Sequence, residues 1–209
     1  NTCDNSNYEN TILNKKHSVD FNLTIKPSVN FSSLSTENKA NSLGELNFGN
    51  NVNFGIGIET EFVLPFSNKN ISLVFEPTFQ SYNSNIENYA YVETNIDDKT
   101  TYVSIEYKAI DLLFGIKYYF PITDASKIYI NALYNFNSID LGSNFNFETT
   151  SLVDLGLKAN SYLAFGLGYK YNNKICLEGR ISSSQGIITN SLYSTNYPRT
   201  SIIIGYNLF

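Results

Sequence analysis

The chain has 209 residues, with 16% charged and 15% aromatic, the aromatics being 16 Tyr and 15 Phe with no Trp. No apolar run reaches the roughly 18 residues of a transmembrane helix, which excludes an α-helical membrane protein. A hydrophobic fraction of 42% excludes a disordered chain, and a net charge of −5 argues against a nucleic-acid partner, which calls for a basic stripe.

Residues 1–16 are polar, rich in Asn and Lys, and show no period; they read as a lead-in to a domain at 17–209. The chain contains no Met, so a processed protein or a fragment is expected. Two cysteines, Cys3 and Cys176, are too few for a disulfide framework and read as two unrelated thiols.

From His17 to Phe31 the odd positions are Val19, Phe21, Leu23, Ile25, Pro27, Val29 and Phe31, and the even ones are all polar. Strict alternation marks a strand with one apolar and one polar face. The pattern recurs at 51–65 (Val52, Phe54, Ile56, Ile58, Phe62, Leu64) and at 70–82 (Ile71, Leu73, Phe75, Pro77, Phe79). The fourth stretch, 102–120, places Val103, Ile105 and Tyr107 in odd phase and Ile110, Leu112, Phe114, Ile116, Tyr118 and Phe120 in even phase. A β-bulge near Lys108–Ala109 would account for the switch. Four further strands follow at 127–137, 160–171, 174–184 and 199–209, making eight in all.

Short links alternate with long ones. Ser67-Asn68-Lys69, residues 121–126 and Asn172-Asn173 are short; 32–50, 81–101, 138–160 and 182–198 are long. An up-and-down antiparallel barrel would gather the short turns at one end and the long loops at the other, as outer-membrane barrels do. A soluble, lipocalin-like barrel would turn the apolar face inward; a membrane barrel turns it outward. Three features favour the membrane. Small residues crowd the polar face (Gly55, Gly57, Gly115, Gly166, Gly168, Gly205), suiting a narrow side-chain-filled lumen. Aromatics fall near both strand ends: Phe31, Phe54, Phe79, Tyr134 and Phe136 towards the loops, and Phe62, Tyr118, Phe120, Tyr169, Tyr171 and Tyr206 towards the turns. Two girdles match two membrane interfaces. The acidic excess falls in the long loops, while Lys15, Lys16, Lys69, Lys127 and Lys174 mark the short-turn end.

The segments Phe75-Glu76-Pro77-Thr78-Phe79-Gln80-Ser81-Tyr82, Gly115-Ile116-Lys117-Tyr118-Tyr119-Phe120, Ala164-Phe165-Gly166-Leu167-Gly168-Tyr169-Lys170-Tyr171 and Ile204-Gly205-Tyr206-Asn207-Leu208-Phe209 resemble the small outer-membrane β-barrel domains of Bacteroidota. The resemblance implies an OmpA/OmpX-like, eight-stranded antiparallel up-and-down transmembrane β-barrel inserted by the outer-membrane assembly machinery. It also implies that the terminal Phe209 resembles the signal that machinery reads, although Phe209 is one step out of phase with Ile202, Ile204, Tyr206 and Leu208.

The inward face is expected to carry Asp20, Lys26, Glu59, Glu61, Glu76, Glu106, Lys108, Asp111, Lys117, Lys170, Glu178 and Arg180. Glu59, Glu76 and Arg180 count to similar depth, so Arg180 could span to one of the two carboxylates and a buried ion network that plugs the lumen is expected; two close glutamates would drive one of them to keep its proton unless a cation separates them. No catalytic set is expected: the single histidine, His17, lies at the turn end, and Cys176 has no His neighbour on its strand. Glu93, Asn95, Asp97 and Asp98 match no calcium-loop spacing and read as a solvated acidic loop. Expected partners are outer-membrane lipids, lipopolysaccharide and the assembly machinery. Another envelope protein would join them if the barrel is an accessory subunit of an assembly or secretion complex. No cofactor is expected.

Overall fold

A computed structural model describes residues 20–38, 46–65, 67–89, 100–147, 160–186 and 193–209. Cys3, Lys15, Lys16, His17, the 1–16 lead-in and the acidic positions Glu93, Asn95, Asp97 and Asp98 lie outside them. The described residues form ten strands: β1 (Asp20–Asn38), β2 (Leu46–Val63), β3 (Ile71–Tyr89), β4 (Thr100–Pro121), β5 (Ser126–Asp140), β6 (Asn144–Phe147), β7 (Tyr162–Tyr171), β8 (Ile175–Ser182), β9 (Tyr193–Asn196) and β10 (Arg199–Asn207). β6 continues the line of β5 along β4, and β9 continues the line of β10 along β1, so ten strands make eight staves. Every pairing is antiparallel, each stave pairs with its sequence neighbours, and β10 pairs with β1 to close the ring. The fold is a closed, eight-stranded, antiparallel up-and-down β-barrel.

The register fixes its geometry. From Phe31 the paired row runs through Thr200, Ile181, Phe165, Ala132, Ile116, Leu73 and Phe62, and returns to β1 at Phe21, ten residues from its start. That stagger tilts the strands and leaves an interior that side chains can fill. At the short-turn end Asn172 and Asn173 take φ of 49° and 53°. Two consecutive left-handed residues form the tight turn whose twist suits a hairpin, and asparagine tolerates that conformation.

The wall is apolar outside and polar inside. In β7, Tyr162, Ala164, Gly166, Gly168 and Lys170 are buried while Leu163, Phe165, Leu167, Tyr169 and Tyr171 are exposed. β8 and β10 repeat the alternation, with Ile204 and Tyr206 out and Ser201 and Asn207 in. Phe209 ends on the outer face despite its phase: β10 has ended at Asn207, and the Phe209 ring lies 5.9 Å from that of Phe21.

The phase switch in β4 has a different cause from the bulge expected at Lys108–Ala109. The β3–β4 register runs unbroken from Ile71–Tyr118 to Tyr89–Thr100. Ile105, Tyr107 and Ala109 are buried on the same inner face as Asp111, Leu113, Lys117 and Tyr119, whereas Glu106 and Lys108 point outward. What changes along the strand is which side is apolar. Towards the loops Leu34, Phe48, Tyr82, Ile105, Tyr107 and Tyr197 form an inward aromatic and aliphatic cap over the lumen. Register shifts occur elsewhere. In β2 an extra residue at Phe48–Gly49 opposes Leu34; Gly49 has φ of 72°, the left-handed bulge conformation, and the shift turns Phe48 inward. In β5 an extra residue between Asn135 and Asn137 puts Phe136 and Asn137 outside and brings Ser138 back to the interior.

Candidate functional site

The inward positions stack into charged layers along the lumen. The central layer is built on Lys26. Its ammonium donates to Glu59 Oε2, Glu76 Oε2 and Glu178 Oε2, each at 2.9 Å, which uses all three of its N–H bonds. Glu59 Oε1 receives Lys117 Nζ at 2.5 Å. Arg180 makes a forked pair with Glu76 (2.6 and 2.9 Å), and its Nε donates to Glu178 Oε1 at 2.7 Å. Glu178 further accepts from Tyr129 Oη at 3.0 Å and from Asn131 Nδ2 at 3.1 Å. Glu59 and Glu76 thus share one cation, Lys26, and no pair of like charges is left bare.

Glycines make this layer possible. A Cβ on Gly168 would strike the Tyr129 ring, and one on Gly166 would come within 2.6 Å of Glu178 Oε1. The two bare positions on β7 seat the phenol and the carboxylate of the neighbouring staves.

Towards the turns lies a second layer, Lys170 Nζ with Glu61 Oε2 at 3.3 Å and with Tyr119 Oη at 3.4 Å. Towards the loops lies a third. Asp111 Oδ2 accepts from Tyr162 Oη at 2.7 Å and from the Gln80 amide, and its Oδ1 accepts from Ser138 at 2.6 Å. Arg199 donates to Tyr162 Oη at 2.6 Å and to Gln80 Oε1, sits 3.6 Å from Asp111, and stacks over the Tyr162 and Tyr197 rings. Between the central and loop-side layers is a cavity of about 20 Å³ bordered by Ser28, Asn30, Thr78, Arg180, Arg199 and Ser201. That is space for one water. One wall of the interior is apolar, with Val74, Leu113, Leu133, Tyr162 and Ala164 packed together.

Among the described residues the buried charges are five cations (Lys26, Lys117, Lys170, Arg180, Arg199) and five anions (Glu59, Glu61, Glu76, Asp111, Glu178). The column is neutral as a whole. Three positions expected in it stand elsewhere. Asp20 has the inward phase but lies at the turn-side rim, half exposed, where it pairs with Lys69 at 2.7 Å. Glu106 and Lys108 are both on the outer face, paired with each other at 2.5 Å, because the loop-side part of β4 keeps its phase. Arg199, Gln80, Tyr162 and Tyr129 belong to the interior and were not among the expected ion-network residues. Each sits on the polar phase of its strand. Arg199 opens the last strand three residues before its first apolar stripe residue, and the tyrosines were hidden by being aromatic.

The expected girdle residues all stand on the outer face. Phe31, Phe54, Tyr134, Phe136, Phe62, Tyr118, Phe120, Tyr169, Tyr171 and Tyr206 are exposed, and Phe79 is half exposed. Tyr118 packs edge-on to Phe120 at 4.8 Å, and Tyr169 Oη meets Ser126 Oγ at 2.8 Å. Cys176 is a buried free thiol in contact range of Tyr119 and Tyr129. No group of three His, Cys, Asp or Glu among the described residues is placed to hold a metal.

Fold and interior together define a class: a small closed barrel whose polarity is the reverse of a water-soluble protein's. In fold the chain is similar to Neisserial surface protein A (15% identity over 88% of this chain and 95% of that one, TM-score 0.44). It is also similar to Ail, the attachment invasion locus protein of Yersinia pestis (11% identity, 89% and 99%, TM-score 0.39). A third similar structure is the outer membrane protein AlkL in lipid bilayers (14% identity, 88% and 90%, TM-score 0.35). No protein-family model and no curated protein sequence matches the chain.

Proposed function

We propose that the protein is a non-enzymatic, integral outer-membrane β-barrel of the OmpA/OmpX-like kind. Its lumen is plugged by its own side chains, and it works as a structural and interaction module through its loops or wall. The observation that carries this reading is the neutral column of ten buried charges in a ring whose outer face is apolar on every stave. A sheet can cross a bilayer only when closed, because hydrocarbon offers no partner for an open edge. The inversion along β4 supports the same picture. Where the outer neighbour is lipid, Ile110 to Phe120 face out; beyond it, where the neighbour is water, Ile105 and Tyr107 turn in and Glu106 and Lys108 face out. The outer boundary of the membrane then crosses β4 between Tyr107 and Ile110.

In this reading the loop end is extracellular, and the start of β1 and end of β10 are periplasmic. Lipids surround the aromatic girdles, lipopolysaccharide meets the loop-side rim, and the assembly machinery inserts the chain. Planar-bilayer recording of the purified barrel tests the plug. The expected trace has no steady open level; a wide, stable conductance overturns it.

A further inference from the structure

Two prolines sit inside strands of a ring that has no edge to hide them. Pro lacks the N–H that a strand gives its neighbour, and is normally confined to sheet edges. Pro27 in β1 faces β10, and the β1–β10 ladder passes from Ile25–Tyr206 to Ser28–Ile203 without pairing Lys26 or Pro27. Pro77 in β3 faces β2, and the β2–β3 ladder passes from Gly57–Thr78 to Thr60–Phe75 without pairing Ile58 or Glu59. These two seams bracket one hairpin, β1–β2, whose internal ladder is continuous from Asp20–Val63 to Ser33–Asn50.

On the loop side the β2–β3 seam is looser still. No backbone pairing joins the two strands beyond Ile56–Phe79, although both run on as strands. Side chains span the gap instead: Asn51 Nδ2 donates to the Asn83 carbonyl, and Ser84 Oγ donates to the Phe48 carbonyl at 3.0 Å. Phe54, on the β2 lip, is 74% exposed, the most exposed large apolar side chain among the described residues. The turn-side end is firm, with Thr60 to Val63 paired to Phe75 to Ser72 and Leu64 N–H bonded to the Ile71 carbonyl at 2.9 Å.

The central ion layer sits at the level of both gaps. Lys26 precedes Pro27, Glu76 precedes Pro77, and Glu59 is the unpaired residue opposite Glu76. Lys26 reaches Glu76 across one broken seam and Glu178 on β8, beyond the other, its stem passing over bare Gly205. We infer that the β1–β2 hairpin is a movable leaf of the wall, hinged at the turn end and opening along the β2–β3 seam, with Lys26 and its three carboxylates as the latch that replaces the missing rungs. This goes beyond the plugged-barrel reading, and a barrel found to conduct would leave it standing or falling on its own data.

Residue-resolved amide hydrogen exchange on the full chain in lipid nanodiscs tests it. β3 supplies its own control, since Phe75, Phe79, Ser81 and Asn83 face β2 while Gln80 and Tyr82 face β4. Replacing the latch with an apolar isostere, Lys26→Met, is expected to speed exchange at Phe75 and Phe79 about tenfold and leave Gln80 and Tyr82 unchanged. Pro77→Ala restores one rung, whose net worth of about 1 kcal/mol is expected to slow exchange at Phe75 and Phe79 about fivefold. An equal rise on both sides of β3 in Lys26→Met would make the cluster general glue and overturn the inference. Should Lys26→Met not fold, Pro77→Ala decides alone: slower β2-facing exchange supports the leaf, and unchanged exchange removes it.

Discussion

Replacing Arg180 probes the central layer most directly. Arg180→Met removes a forked pair to Glu76 and a third bond to Glu178, and leaves two cations, Lys26 and Lys117, among three carboxylates. Breaking a buried pair from one side typically costs about 3–5 kcal/mol, because the remaining charge has neither water nor partner. Arg180→Lys keeps the charge and loses the fork, at about 1.5–3 kcal/mol, the worth of one charge-assisted hydrogen bond. Arg180→Met with Glu76→Gln restores neutrality: Lys26 and Lys117 then face Glu59 and Glu178. The double variant is expected to lose roughly 2 kcal/mol less than the sum of the two single losses. The chain has no Trp, so equilibrium urea unfolding is followed by the strand band in circular dichroism. If the double variant loses the sum of its two single losses, charge balance is not what holds the layer, and the reasoning fails.

Other consequences are as sharp. Gly168→Ala drives a methyl into the Tyr129 ring, and overpacking at such a site costs about 1–3 kcal/mol in the same assay. Ile204→Arg, mid-belt on β10, is expected to cost about 2–4 kcal/mol in bilayers. Glu106→Arg, outward but beyond the belt, stays within about 0.5 kcal/mol; equal losses at the two sites would erase the membrane boundary placed on β4. Partial burial opposes ionisation of Asp140, but the Ser143 hydroxyl and the amides of Ser143, Gly142 and Leu141 win and hold its carboxyl below the usual range. Its folded value is depressed. The loop contact therefore stabilises fully above the ordinary Asp value near ~3.9 and fades as pH falls through the lower folded value. An NMR titration placing Asp140 at or above the ordinary value contradicts this.

Much of the barrel is legible in the chain because an apolar outer face and a narrow, polar lumen impose a two-residue period on every stave. Phe21 to Phe31 and Leu163 to Tyr171 declare their faces without any structure. The period says nothing of what lies outside the wall at a given height. Ile105 and Tyr107 therefore read as a phase slip although it is the inner face that becomes apolar there, and Glu106 and Lys108 read as inward with them. The true shifts, at Gly49 and at Phe136, leave no mark in a pattern where Asn is common on both faces. Arg180 meeting Glu76 follows from counting along strands. Lys26 meeting three carboxylates on three staves requires the ten-residue stagger, which only the pairing reveals.

The ten buried charges of the described residues sum to nothing, and the lower and upper pairs each do so on their own. A transmembrane voltage does work only on net charge displaced along its direction. Shifting such a column up or down the axis moves as much positive as negative, so an electric field finds no lever in it. Opening of the proposed leaf would have to draw on something other than a membrane potential acting on this column.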